Sequence, residues 1–484
     1  MKITANDILQ IFGEICAVPR PSKHESQIRD YLLQFARRHQ LSAQTDAIGN
    51  VLVVKPGPAE SICLQAHMDM VCENTADTRH NFETDPIQTY EEDGWLRARG
   101  TTLGADDGIG MAIALAALLS DSPHRIEALF TVDEETGLTG ASELQAGWLQ
   151  SRKLINLDSE EDDEFIVGCA GGCETTALFP IEQEQTQPTM FGIKLIIKGL
   201  QGGHSGSDIH FHRANALLLL GKFLEQESQR YEVRIAEIKG GNLHNAIPRE
   251  AEAVIAIPIR EKEQIRIDWN IYWAEVEEQW LQDEPQLQGT LSSTPLPKEV
   301  FTSALSQNLT NAIANCRHGV VAWSETLPDI VETSTNLASV KREDIVSEPD
   351  DKGNTTTTSY IAVHTSQRSS DDAALSALAF GIYEHFAQYK ALPYISGQYT
   401  GWKPDFESPL VRQAVEAYTR LFGKSPAVKV IHAGLECGVF RQRYPQLDMI
   451  SIGPTLRDVH SPAERLKLSS IGKVWALTEA LLEA

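Results

Sequence analysis

Residues 61–70 read Ser61-Ile62-Cys63-Leu64-Gln65-Ala66-His67-Met68-Asp69-Met70. An apolar run of strand-forming length passes directly into a histidine and a carboxylate. In an α/β protein that is a strand delivering polar groups to its carboxyl end, where ligands and reacting groups collect. Three later stretches repeat the plan: Ala128-Leu129-Phe130-Thr131-Val132 runs into Asp133-Glu134-Glu135, Leu154-Ile155-Asn156-Leu157 into Asp158-Ser159-Glu160, and Met449-Ile450-Ser451-Ile452 into Gly453-Pro454 and on to His460. Between the first two lies Gly104-Ala105-Asp106-Asp107-Gly108-Ile109-Gly110, a glycine-rich loop opening the Ala/Leu helix from Met111 to Leu119. A helix start favours negative charge, through its free N–H groups and its dipole.

Working outward, residues 5–40 carry apolar side chains at helical spacing (Ile8, Ile11, Phe12, Ile15, then Ile28, Tyr31, Leu32, Phe35) broken by Pro19-Arg20-Pro21-Ser22. Two helices and a turn follow. Strands and helices alternate at both ends of the chain, yet the last polar strand end comes almost 300 residues after the others. This predicts an α/β domain, a mixed sheet flanked by helices, over residues 1–188 and 392–484, interrupted by an α+β insert over 189–391. The insert opens on the strand from Phe191 to Lys198 and contains amphipathic helices near 213–229, 261–282 and 371–390, with strands near 251–257 and 360–364. The run Thr355-Thr356-Thr357-Thr358, preceded by Asp350-Asp351-Lys352-Gly353-Asn354, is expected as a hairpin turn.

Bulk composition narrows the function. The chain has 484 residues, 42% hydrophobic and 23% charged, enough for more than one full core. A net charge of −25 without a basic cluster argues against nucleic acid or an anionic membrane as partner. No apolar stretch approaches the ~20 residues of a membrane span, and the polar start, Met1-Lys2-Ile3-Thr4, does not read as a signal peptide. Seven scattered cysteines suit reduced thiols in the cytoplasm. Cys169 and Cys173 lack the second pair that a zinc knuckle needs.

Collected from strand ends and the helix-initiating loop, the polar set is His67, Asp69, Asp106, Asp107, Glu134, Glu135, Asp158 and His460. Each alone is unremarkable: an acid at a helix start is usually a cap, and adjacent glutamates usually a solvated face. Gathered at one edge of one sheet they would repel, unless divalent cations offset them. Two histidines with several carboxylates suit a pair of borderline-hard ions sharing an oxygen, with hydroxide as nucleophile. Asp107 is read as a helix N-terminal residue. His210, His212, His244 and His432 are left outside the site.

The motifs His67-Met68-Asp69, Gly104 to Gly108, Glu134-Glu135, Asp158-Ser159-Glu160 and Gly453-Pro454…His460-Ser461-Pro462 resemble, in the same order, those of the M20 family of dinuclear metallopeptidases. Gly168-Cys169-Ala170-Gly171-Gly172, Gly199 to Gly206, Asn245 to Glu250 and His432-Ala433-Gly434-Leu435-Glu436-Cys437-Gly438 resemble its bacterial aminoacyl-histidine dipeptidase branch. The resemblance implies that Asp106 bridges two ions, zinc by default with cobalt or manganese accepted. His67 and Asp158 would complete one shell, Glu135 and His460 the other. It further implies that Asp69 orients His67, that Glu134 is the general base, and that His204 steadies the oxyanion while Asn245 and Arg368 hold the substrate's C-terminal carboxylate. The expected reaction is hydrolysis of unblocked dipeptides, Xaa-His among them, with the insert as lid and homodimer interface. The nearest alternatives are a tripeptidase or an N-acyl amino-acid amidohydrolase of the same family.

Overall fold

The structure, a computed structural model, describes residues 2–325, 328–346 and 355–483. The chain divides into two compact units, Met1–Cys169 with Trp402–Ala484, and Ala170–Gly401.

The first unit is built on an eight-stranded mixed sheet. In spatial order its strands are Ser42–Thr45, Val51–Lys55, His124–Thr131, Ala59–His67, Lys153–Asn156, Asp448–Ser451, Glu164–Cys169 and Ala427–Ile431. The four strands from His124–Thr131 to Asp448–Ser451 run parallel to one another. Their carboxyl ends therefore open on one edge, which is what brings polar residues that lie far apart in sequence to one place. Helices Ala5–Cys16, Ser26–Arg38, Ala105–Leu118, Pro409–Phe422 and Leu468–Leu481 supply the rest of a core that includes Ile8, Phe12, Leu64, Ile113, Phe130, Phe165 and Trp475. Helix Ala105–Leu118 is buried on nearly every side. That explains its small apolar residues and the absence of a polar stripe.

The start of the chain forms as its periodicity predicts. Thr4 caps the first helix by accepting the Asp7 N–H while Asp7 accepts the Thr4 N–H, a reciprocal box that satisfies two donors at once. A small four-stranded sheet, ordered Leu456–Arg457, Arg465–Lys467, Trp95–Ala98 and Thr89–Glu92, carries a hairpin whose connection contains His460. His460 thus comes from this hairpin and not from the end of the strand Asp448–Ser451.

The second unit is an α+β body on one antiparallel sheet. Its strands run Gln288–Ser293, Met190–Lys198, Ala251–Pro258, Arg234–Gly240, Val331–Val346, Thr357–Ser369, Gly171–Pro180 and Leu392–Tyr399, and Gly319–Trp323 pairs with Val331–Val346. Helices Ala216–Ser228, Lys262–Trp280 and Asp372–Gln388 match the three amphipathic stretches, and Ser303–Ala314 is a fourth. Cuts expected at 188/189 and 391/392 fall at 169/170 and 401/402. The reason is pairing: Gly171–Pro180 lies between Thr357–Ser369 and Leu392–Tyr399 and belongs to the insert's sheet. The two long strands Val331–Val346 and Thr357–Ser369 pair over Thr333↔Ser369 to Val346↔Thr357 as a hairpin would; of the run expected as the turn, Thr357 and Thr358 already belong to the second strand, and the preceding residues 350–354 lie outside the described residues. No described helix is long and apolar enough to cross a membrane.

Candidate metal centre

The strand Ala59–His67 ends on a buried imidazole, and the loop of Asp106 reaches over it. Asp106 faces two histidines at once: its Oδ1 is 3.0 Å from His67 Nε2 and its Oδ2 is 3.1 Å from His460 Nε2. Asp158 Oδ1 stands 3.5 Å from the same His67 nitrogen, and Glu135 Oε2 stands 3.0 Å from His460 Nε2. The group has two lobes, His67 with Asp158 and His460 with Glu135, sharing one carboxylate. Ligand-capable atoms of His67, Asp106 and Glu135 all lie within 4.8 Å of one another.

Asp69 serves both sides of the edge. Its Oδ1 is 3.4 Å from His67 Nδ1 and accepts the Glu134 N–H at 3.0 Å, while its Oδ2 accepts the Glu135 N–H at 3.2 Å and the Ser22 hydroxyl at 2.8 Å. One carboxylate therefore lies beside the His67 ring and fixes the turn that presents both glutamates. Asp107 accepts the Gly110 N–H at 3.0 Å, the helix-start role expected of it.

Two residues that carry no sequence signal hold the Asp106 loop. Buried Glu464 accepts the N–H groups of Leu103, Gly104, Ala105 and Asp106 at 2.7, 2.9, 2.8 and 3.3 Å. Buried Arg20 donates to the carbonyls of Met68, Asp69 and Gly104. Gly104 adopts φ 67°, and a Cβ there would lie 2.6 Å from Arg20 Nη2, so both the turn and the close approach require glycine. Arg20 stands between two prolines and reads as a surface turn. Glu464 follows a proline in a loop and reads as nothing in particular.

The electrostatics are those of too many acids in one place. Burial opposes a charge on His460, but Asp106 and Glu135 hold its pKa at about 11. Burial also works against the His67 cation, yet Asp158, Asp106 and Asp69 keep its pKa well above the ordinary imidazole value. Hydrogen bonds from both rings outweigh the burial of Asp106 and hold it far below the usual carboxylate range. Burial, with Asp106 nearby and only partly offset by His67, pushes Asp158 up to about 7. Burial and the charges of Asp106 and Asp158 do the same to Glu160, also to about 7. Burial, with Asp158, Glu135 and Glu436 close by, raises Glu134 well above a normal glutamate. Among the described residues no lysine or arginine forms an ion pair with Asp106, Glu134, Glu135 or Asp158. Glu135 Oε1 is buried without a hydrogen-bond partner. A donor set of imidazole and carboxylate on each lobe fits a pair of divalent ions, and their charge is what this crowding lacks.

In the second unit, His204, Asn245 and Arg368 cluster at one end of the insert's sheet. The Ser205 N–H donates to the Asn245 carbonyl at 2.7 Å, tying the His204 and Asn245 loops together. Ser366 Oγ donates to the His244 carbonyl at 3.0 Å and Asn336 Nδ2 to the Ala246 carbonyl at 2.8 Å, which straps the Asn245 segment onto the strands. Arg368, two residues along the same strand face as Ser366, donates to the Tyr399 hydroxyl at 3.1 Å. His204 Nδ1 accepts the N–H groups of Gly206 and Ser207 at 3.2 and 3.1 Å. That assigns the ring proton to Nε2, as a donor. His212 pairs with Asp283 and stacks on Trp280, a surface contact.

A parallel-strand edge bearing a two-lobed His/carboxylate cluster defines a metal-dependent hydrolase. The chain belongs to peptidase family M20/M25/M40, whose model matches residues 63–484. It is 37% identical, over all of its length and 98% of the relative's, to the cytosol non-specific dipeptidase of Escherichia coli. Its fold is similar to the crystal structure of aminoacylhistidine dipeptidase from Vibrio alginolyticus, with TM-score 0.84 and 37% identity over 99% of this chain and 96% of that one. A tripeptidase from Staphylococcus aureus shares the fold alone, with TM-score 0.60 and 16% identity over 100% and 99% of the two chains.

Proposed function

We propose that this protein is a cytoplasmic metallo-dipeptidase that cleaves unblocked dipeptides, Xaa-His among them, using two divalent ions. The observation that carries the reading is Asp106, one carboxylate with each oxygen turned toward a different histidine. His67, Asp158 and Asp106 would hold one ion, His460, Glu135 and Asp106 the other. Zinc fits this donor set best, and cobalt or manganese would be accepted. Bound there, the pair supplies Lewis-acid polarisation and a water acidic enough to lose its proton near neutral pH.

Glu134 takes the proton of the attacking water and passes it to the leaving amine nitrogen. Its raised pKa suits a group that must both accept and release a proton near neutrality. Asp69 keeps Glu134 and His67 in their places through the contacts described. His204, as an Nε2–H donor, would steady the developing oxyanion, and Arg368 with Asn245 would take the substrate's C-terminal carboxylate, where a guanidinium fork matches two oxygens. Similarity to a dipeptidase along the whole chain supports the substrate class. Homodimerisation through the insert is part of the reading, supported by exposed Ile267 and Ile271 on the outer face of helix Lys262–Trp280. Sedimentation that returns a monomer at micromolar concentration would remove it.

The test is elemental analysis with a substrate panel. Two ions per chain and the highest kcat/KM on carnosine-type dipeptides are expected; preference for a tripeptide or an N-acetyl amino acid would overturn the assignment. Arg368→Ala is expected to raise KM about tenfold or more for free dipeptides and to matter little for C-terminally amidated ones, since only the former offer the charged acceptor.

A further inference from the structure

Beneath the ligands, the parallel strands carry a row of polar side chains that the reaction does not use. Gln65 pairs with Asn156 on the adjacent strand, and Asn156 pairs with Ser451 on the next. Hydrogen bonds follow the row. Ser451 Oγ donates to Asn156 Oδ1, and Asn156 Nδ2 donates to Gln65 Oε1 at 2.7 Å. Ser159 and Ser451 share a hydrogen bond at 2.8 Å. At the other end, Gln65 Nε2 and Thr131 Oγ1 both donate to Glu436 Oε2, the latter at 2.8 Å. Gln65, Thr131, Asn156, Ser451 and Glu436 are all 0% exposed.

Glu436 is the member that needs explaining. It opens helix Glu436–Arg443, and its other oxygen, Oε1, is buried with no hydrogen-bond partner. Among the described residues no lysine or arginine pairs with it. A buried acid satisfied on one oxygen only is costly, and an apolar residue of similar size would be more stable. What the layer gains is position. Gln65 stands two residues before His67, Asn156 two before Asp158, Ser159 directly after Asp158, and Thr131 in register with His67. The row does not reach the hairpin of His460, which hangs from a different sheet.

We propose that this buried layer, anchored by Glu436 as a positioning residue, sets the separation of His67 and Asp158 and so governs the affinity of one of the two ions and not the other. The inference rests on the two-ion reading above. Its test is a titration of the metal-free full-length protein with zinc, followed by calorimetry, together with the unfolding temperature of each metal-free variant. Wild type is expected to bind in two resolvable steps. Glu436→Ala should weaken one step about 10–100-fold and leave the other within about twofold, the range that outer partners of metal ligands command. Glu436→Gln should restore the weakened step to within about threefold of wild type, because its amide oxygen can accept the same two donors. Both steps weakening together, neither weakening, or Gln proving as poor as Ala would overturn the proposal. Should Glu436→Ala fail to fold, Thr131→Val removes one of the two donors without changing shape, and the same selective loss, smaller in size, is expected. A wild type that binds a single ion would instead sink the two-ion reading, which keeps the two failures apart.

Discussion

Asp69 couples the region of the His67 ring to a turn of chain that carries both glutamates. An amide in its place would keep one acceptor oxygen but set its NH2 against the backbone N–H of either Glu134 or Glu135. Asp69→Asn is therefore expected to weaken zinc binding about 10–100-fold, checked by competition with a chelating dye. Glu134 differs in kind: it bears no imidazole contact, so its loss should spare the ions. Glu134→Ala is expected to lower kcat about 10³-fold with metal content unchanged by elemental analysis. Loss of an ion with it would exchange the parts given to Glu134 and Glu135. In the sequence, Asp69 stands two residues from His67, and its part in aiming that ring is what the family resemblance implies. Its grip on the glutamate turn is not legible there, because that contact depends on Ala59–His67 and His124–Thr131 being parallel neighbours in register.

At the scale of elements, the Asp106 loop is a backbone with its donors gathered onto one acceptor. Four N–H groups converge on Glu464, and removing the carboxylate leaves them buried without partners. Glu464→Ala is expected to cost roughly 3 kcal/mol in chemical denaturation. It should also weaken both ions, since Asp106 belongs to both lobes; a loss confined to one ion would mean the loop keeps its shape without Glu464. The strand ends were legible because apolar runs stop at charged residues, and the helices because periodicity survives in a single chain. Which strands pair is a different matter. Gly171–Pro180 is visibly strand-like, but nothing within it says that its partner is Thr357–Ser369, almost 190 residues away, and the unit boundary follows from that partner.

For the molecule as a whole, the crowded edge ties stability to pH. Asp158 and Glu160, ordinary acids when unfolded, release their protons near 7 in the fold, and Glu436 near 8. Their folded pKa values are raised, so between these values and the unfolded ones the native state holds more protons. That part of the stability is present at low pH and lost as pH rises through 7–8. The metal-free protein is expected to melt at lower temperature at pH 8 than at pH 6. With zinc in excess the order should reverse, because the ions compete with protons for the same atoms and stabilise what they bind. Scanning calorimetry at the two pH values checks both signs, and a metal-free protein that melts higher at pH 8 would refute the account. The hairpin of His460 has a consequence in time. During synthesis His67, Asp106, Glu135 and Asp158 leave the ribosome roughly 300 to 400 residues before His460 and Glu464, with the insert made in between. A nascent chain holds the groups of one lobe early, but lacks His460 and the acceptor of the Asp106 loop until the insert has been made, so the two lobes can come together only after both passages of the first unit have emerged.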